Sequence, residues 1–287
     1  MKFPALLIFL ITMSGCIIEN GLEPDPDPPP DTKVDTAPPV EPPPDDSEPP
    51  EPVFPVAVCE VTPNPVTPPF ESATWDGSNS YDPDDRTLTT FDWTLASAPQ
   101  GSSAIMPAGH DIRANFEPDL AGDYIAQLIV KTGDGVESEP CTVTLESIPA
   151  EDLWIEMFWT HSGDDMDLHL LDEGGSLTSN SDCYYGNCVG GGLNWGSSAD
   201  YDNPSLDLDD IPGTGPENIN IAAPENKVYT IYVHDYPGST YTGANPVTVN
   251  VYLNGSLEWT STRPISGESS YVPFATVDWR AGTVSEL

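Results

Sequence analysis

Positive charge is what this chain most lacks. Its 287 residues include eight Lys and Arg against 47 Asp and Glu, a formal net charge of −39. Such a surface repels phosphate backbones and anionic headgroups, which argues against nucleic-acid binding by counterion release. Long apolar runs are missing as well. The uncharged run from Phe3 to Met13 falls well short of the ~20 residues a membrane-spanning helix needs. No GxSxG elbow, Walker loop or GxGxxG occurs, so nucleophilic and nucleotide chemistry have no local signature. Carboxylate pairs abound, but in so acidic a chain they say nothing about a glycosidase dyad.

What is present starts with a leader. Lys2, the apolar run and the small residues Ser14-Gly15 lead to Cys16. A core of that length suits a signal peptide. Ser14-Gly15-Cys16 resembles the lipobox of bacterial lipoproteins, with Met13 where leucine is usual. The resemblance implies a signal peptide over 1–15 and a diacylglycerol on the Cys16 sulfur. An ordinary secretory signal is the alternative. Ile17, in place of an acidic residue, points to the outer membrane, at the periplasmic face or the cell surface.

Residues 16–55 then form a low-complexity linker of Pro, Asp and Glu, with almost no apolar side chains to bury. Proline density favours polyproline II, with a reach on the order of 100 Å. The expected fold is all-β: two antiparallel β-sandwich domains, 56–149 and 150–287, after this disordered spacer.

In the first domain, strand candidates are Val56–Val61, the alternation Phe91/Trp93/Leu95, Tyr124/Ala126/Leu128/Val130 and Cys141/Val143/Leu145. Asp76 to Asp84 with Phe91-Asp92-Trp93, and Phe116 to Tyr124, resemble the PKD-like branch of the immunoglobulin-like sandwiches over about 56–147. The segment typical of the best-known repeats is absent. The resemblance implies a spacer or adhesion module. Asp119 and Gly122 ahead of Tyr124 also suit a tyrosine corner.

In the second domain, strands are expected at Leu153–Trp159, Asp167–Leu170, Tyr229–Val233, the alternation Val247 to Leu253, and Phe274–Trp279. A hairpin is expected at Asn254-Gly255. The long segment from Gly174 to Pro216 has few strand signals, and loops of that length are usually functional or ion-stabilised. Asp165 to His169, Leu206 to Asp209 and Gly215 to Ile219 resemble the YfaP-like group of secreted bacterial domains. That resemblance implies a jelly-roll-type sandwich and no settled activity.

Five cysteines leave an even set once Cys16 is lipidated, and an exported protein meets oxidising conditions. Three pairings are possible. Cys59 and Cys141 lie on the first and last strands of one domain, and Cys183 and Cys188 enclose a turn-forming tetrapeptide. These are the expected bonds.

The candidate site is acidic. On a strand, Asp165, Asp167 and His169 share a face. Asp207, Asp209, Asp210 and Glu217 follow in a Gly/Pro-rich segment, and many oxygen ligands on loops suit Ca²⁺. The spacing is not an EF-hand. The competing reading is a solvated acidic rim. Asp76, Asp82, Asp84 and Asp85 form a lesser cluster in the first domain, where turn chemistry is the simpler reading. Zinc has no HExxH or CxxC spacing here and would need a composite of His169, His234 and an aspartate. Tyr184, Tyr185 and Trp195, in the long segment, are the aromatics expected to be exposed for stacking on sugars.

Together these features suggest a non-enzymatic envelope lipoprotein, a calcium-stabilised structural or adhesive module. Its partners would be the membrane, through the anchor, and an envelope glycan or surface protein. A carbohydrate- or peptidoglycan-binding accessory is the first rival, and an enzyme the second.

Overall fold

The computed structural model describes residues 52–211 and 213–287. The expected signal peptide, Cys16 and the linker up to residue 51 lie outside the described residues. All regular elements among the described residues are strands.

Six of them build the first sandwich: β1 (Glu60–Thr62), β2 (Ala73–Asp76), β3 (Leu88–Ser97), β4 (Arg113–Phe116), β5 (Gly122–Thr132) and β6 (Cys141–Ser147). They pair antiparallel into two three-stranded sheets, ordered β1-β2-β4 and β3-β5-β6. Period-two alternation drives the packing. Tyr124, Ala126, Leu128 and Val130 of β5 point into one core with Trp75, Phe91, Trp93 and Phe116. The Tyr124 hydroxyl accepts from the Leu120 amide at 2.9 Å and donates to Asp119 at 2.7 Å, the expected tyrosine corner. The strand expected from Val56 begins only at Glu60. Upstream, Val56 makes isolated bridges to Tyr81 and Glu139, and the Val58 amide donates to the Ser80 side chain at 3.0 Å, so pairing does not continue into β1. A Cys59–Cys141 disulfide ties β6 to the residue before β1.

Ten strands build the second sandwich: β7 (Leu153–Trp159), β8 (Met166–Leu171), β9 (Asp182–Cys183), β10 (Ser205–Leu208), β11 (Glu217–Ile221), β12 (Val228–Asp235), β13 (Asn245–Leu253), β14 (Ser256–Ile265), β15 (Tyr271–Asp278) and β16 (Thr283–Glu286). They form two five-stranded antiparallel sheets, β10-β11-β7-β13-β14 and β16-β15-β12-β8-β9. Asn254 and Gly255 join β13 to β14 at φ 52° and 78°, as a type I′ turn requires. The segment from Gly174 to Pro216 contributes β9 and β10 as well as loop, and Cys183 and Cys188 are bonded within it.

Trp195 in that segment is not exposed, contrary to expectation. It is 4% exposed, stacks on Tyr229 and donates its Nε1–H to the Asn180 carbonyl at 2.8 Å. A large aromatic with a satisfied polar tip anchors the loop to the core.

Strand β7 is buried at every position. Its odd-numbered side chains, Leu153, Ile155, Met157 and Trp159, enter the second core. Its even-numbered ones meet the first sandwich. Trp154 packs with Ala121 and Tyr252. The Glu156 carboxylate accepts from the Ala121 amide at 3.0 Å and from Asn250 at 3.2 Å. Phe158 lies so close to Gly101 that a Cβ there would sit 2.1 Å from the ring. A continuous apolar run therefore marks a strand covered on both faces.

Candidate metal centre

Strand β8 is likewise buried throughout, but its second face is polar. Met166, Leu168 and Leu170 join the core, and Asp167 and His169 point the other way. The expected shared face is found for Asp167 and His169, while Asp165 lies just before the strand, and the face is not solvated. Antiparallel register sets His234 of β12 opposite Asp167, and Tyr271 of β15 opposite His234. On the other flank, β9 and the turn after it bring Asp182 and Tyr184 alongside His169.

The two imidazoles are each held by a carboxylate. His234 Nδ1 lies 2.9 Å from Asp167 Oδ2, and His169 Nδ1 lies 2.8 Å from Asp182 Oδ2. Asp182 also accepts from the Thr178 amide at 2.7 Å. Tyrosines cover the rings: Tyr184 stacks on His169 with centroids 5.0 Å apart, and Tyr271 on His234 at 4.0 Å. Gly186 permits the first stack, since a Cβ there would lie 2.6 Å from the Tyr184 ring. Tyr185 meets Tyr184 and Tyr236 edge-on. Tyr184 and Tyr185 are thus half-buried and pack against the site.

Glu217 reaches this region from the other sheet. Its carboxylate, 1% exposed, accepts from the Leu168 amide at 2.8 Å and the Asp210 amide at 3.3 Å. Carboxylate oxygens of Asp167, Asp209 and Glu217 all lie within 4.8 Å of one another. Burial, then the charges of Asp167 and Asp209, push the Glu217 carboxyl well above its ordinary value. Burial raises Asp209 too, with Asp167 and Asp210 adding repulsion. Asp165 is pushed up to about 7 by burial and by Asp167, Asp209 and Asp164. One of its oxygens is covered without a partner. Asp165 also lines an open cleft of about 290 Å³ with Gly163, Ile211 and Tyr236.

Of the expected calcium ligands, the structure brings together Asp167, Asp209 and Glu217, with Asp165 beside them. Asp207 is elsewhere: on β10, its carboxylate accepts from Asn218 and Asn220 across the ladder to β11. Asp210 caps its own turn, accepting from the Gly215 amide at 2.8 Å. In the first sandwich, Asp82 accepts from Arg86 at 2.8 and 3.1 Å and from the Asp84 amide, and Arg113 pairs with Asp76. Turn chemistry and ion pairing account for that cluster.

Sequence reading missed Asp182, and named His234 only in a composite zinc set whose aspartate it did not identify. Their partners lie 13 and 67 residues away. The only local signal was polar residues at alternate positions of apolar strands.

No family model and no curated protein matches the chain. Four chains of known structure match. Among them is a solution structure of the PKD domain from KIAA 1837 protein, 23% identical, covering 31% of this chain and 83% of that one, with a TM-score of 0.25.

Proposed function

We propose that the protein is a non-enzymatic structural or adhesive module of the bacterial cell envelope, anchored at the outer membrane through Cys16, with Ca²⁺ stabilising its second sandwich. The observation that carries the calcium reading is the convergence of Asp167, Asp209 and Glu217 within 4.8 Å. Three carboxylates so placed repel one another, and the carboxyls of Asp209 and Glu217 are pushed up. A hard divalent cation relieves the repulsion and takes oxygen ligands from flexible loops. Asp165, with a covered oxygen lacking a partner, is the fourth protein ligand. The buried position of Trp195 and the packed rings of Tyr184 and Tyr185 leave the carbohydrate rival with little support.

Calorimetric titration of the chelator-treated full chain tests the ion. Saturable Ca²⁺ binding is expected, with a higher melting temperature. At free Ca²⁺ a hundred times the dissociation constant, the gain is about 2.7 kcal/mol. Asp209→Asn should remove the response. No saturable binding, or equal effects of Mg²⁺ and Ca²⁺, would overturn the calcium reading. The anchor has its own test: Cys16→Ser should release the chain from membranes or block its processing.

A further inference from the structure

Beside the carboxylates lies a donor set of another chemical kind. One donor atom each from Asp167, His169 and His234 falls within 4.8 Å of the other two. All three residues are buried, at 2%, 0% and 5% exposure. The His169 ring shows which of its atoms is free. Its Nδ1–H donates to Asp182, which fixes the tautomer and leaves the lone pair on Nε2. That Nε2 is covered and has no hydrogen-bond partner. A buried imidazole nitrogen without a partner is a net cost to the fold, unless something is bound to it.

We propose that His169 Nε2, His234 Nδ1 and Asp167 form a site for a divalent transition ion of the zinc class, distinct in chemistry from the calcium site. Two imidazoles and a carboxylate are a poor set for Ca²⁺, which takes oxygen, and a good one for Zn²⁺. The 2.9 Å between His234 Nδ1 and Asp167 Oδ2 is near the ~3.3 Å separating neighbouring ligands of a tetrahedral zinc ion. The ion takes the place of that hydrogen bond, and the His234 proton is then carried on Nε2. Asp182 serves as the outer carboxylate that orients a ligating imidazole and raises its basicity. Tyr184 and Tyr271, flat against the two rings, hold them in place and shield them from water. Three protein ligands leave a fourth position for water or for a group on a partner.

The site does not depend on the calcium reading, although the two share Asp167. The test uses the chelator-treated full chain, with Zn²⁺ and Co²⁺ as probes. Saturable one-to-one Zn²⁺ binding is expected, and Co²⁺ should give the visible absorption of a low-coordinate, imidazole-bound ion. His169→Gln and His234→Gln should each weaken Zn²⁺ at least ~10-fold and leave Ca²⁺ titrations unchanged. Asp209→Asn and Glu217→Gln should do the reverse, and Asp167→Asn should weaken both ions. If the histidine variants unfold, ¹⁵N shifts of His169 Nε2 and His234 Nδ1 in the unsubstituted chain on Zn²⁺ addition give the same answer. Absence of saturable Zn²⁺ binding would sink the proposal. So would binding that leaves those two nitrogens unmoved, which would put the ion on the surface histidines His110 or His161. Absence of saturable Ca²⁺ binding to the unsubstituted chain, with Zn²⁺ binding intact, would reject the calcium reading alone.

Discussion

The two sandwiches treat negative charge in opposite ways. In the first, acids meet cations: Asp82 with Arg86, Asp76 with Arg113, Asp92 with Lys131. The Arg86 guanidinium holds the Asp82 carboxyl below its ordinary range. In the second, Lys227, Arg263 and Arg280 pair with Asp172, Glu286 and Asp278, away from the acidic cluster. Among the described residues, the main charges acting on Asp165, Asp209 and Glu217 include no Lys or Arg. Each sandwich has three such cations, so the difference lies in placement. Where the chain supplies a cation, acids build turns. Where it supplies none, three of them converge within 4.8 Å of one another.

The largest expected effect separates the sandwiches by their cross-links. Cys59 and Cys141 are 82 residues apart, and Cys183 and Cys188 only five. In the chain-entropy picture, losing the long loop costs about 4–5 kcal/mol and losing the short one about 2 kcal/mol. Denaturant unfolding of the Cys59→Ala/Cys141→Ala and Cys183→Ala/Cys188→Ala chains checks the ratio. Equal losses would mean that the short bond does more than close a loop, for instance by holding Tyr184 over His169.

Much of this architecture was legible in the residues. Alternation marked β5 and β13, Asn254-Gly255 marked the hairpin, the first and last strands of one domain marked the Cys59–Cys141 bond, and the tetrapeptide between Cys183 and Cys188 marked the other. Period two also put Asp167 and His169 on one face. What it could not supply was the far side of that face. His234 reaches Asp167 through strand register, a long-range property set by the whole sheet. Trp195 looked exposed because its surroundings are turn residues. Its burial depends on Tyr229, 34 residues on, which no local pattern reveals. Asp207 and Asp209 are two apart in sequence yet part company, because Asp207 is held on the β10–β11 ladder while Asp209 lies beyond its end. Glu156 did carry a signal, a carboxylate within an apolar run, and that position is the joint between the sandwiches.

Glu156 tests whether this joint is sensitive to pH. Burial pushes its carboxyl from 4.5 up to about 7. A carboxyl whose folded value lies above its unfolded one stabilises the fold at low pH, and that contribution is lost as pH rises from about 4.5 to about 7. The loss is at most about 3 kcal/mol. Glu156→Gln, which mimics the protonated acid, should flatten this limb of the stability curve. A slope identical to that of the unsubstituted chain would show that Glu156 stays ionised, satisfied by the Ala121 amide and Asn250.

The smallest expected effect is at Arg86, and it has the opposite sign. The Asp82 side chain is fully covered, while Arg86 is partly open to solvent, so screening weakens the pair. Arg86 nonetheless binds through a fork, Nε and Nη2 both donating to Asp82, and Nη2 also donates to the Val53 carbonyl at 2.7 Å. A carboxyl held below its ordinary 3.8 contributes stability that is present above that pH and lost on further acidification. Arg86→Met should therefore lower the melting temperature at neutral pH and shrink the additional loss in acid. Arg86→Lys keeps the charge but not the fork, so it should recover only part of the difference. If thermal melts from pH 3 to pH 7 show the lysine variant fully restored, charge alone holds the turn. If the methionine variant keeps the acid limb unchanged, the Asp84 amide and not Arg86 stabilises Asp82, and the contrast in charge handling between the sandwiches would not extend to this turn.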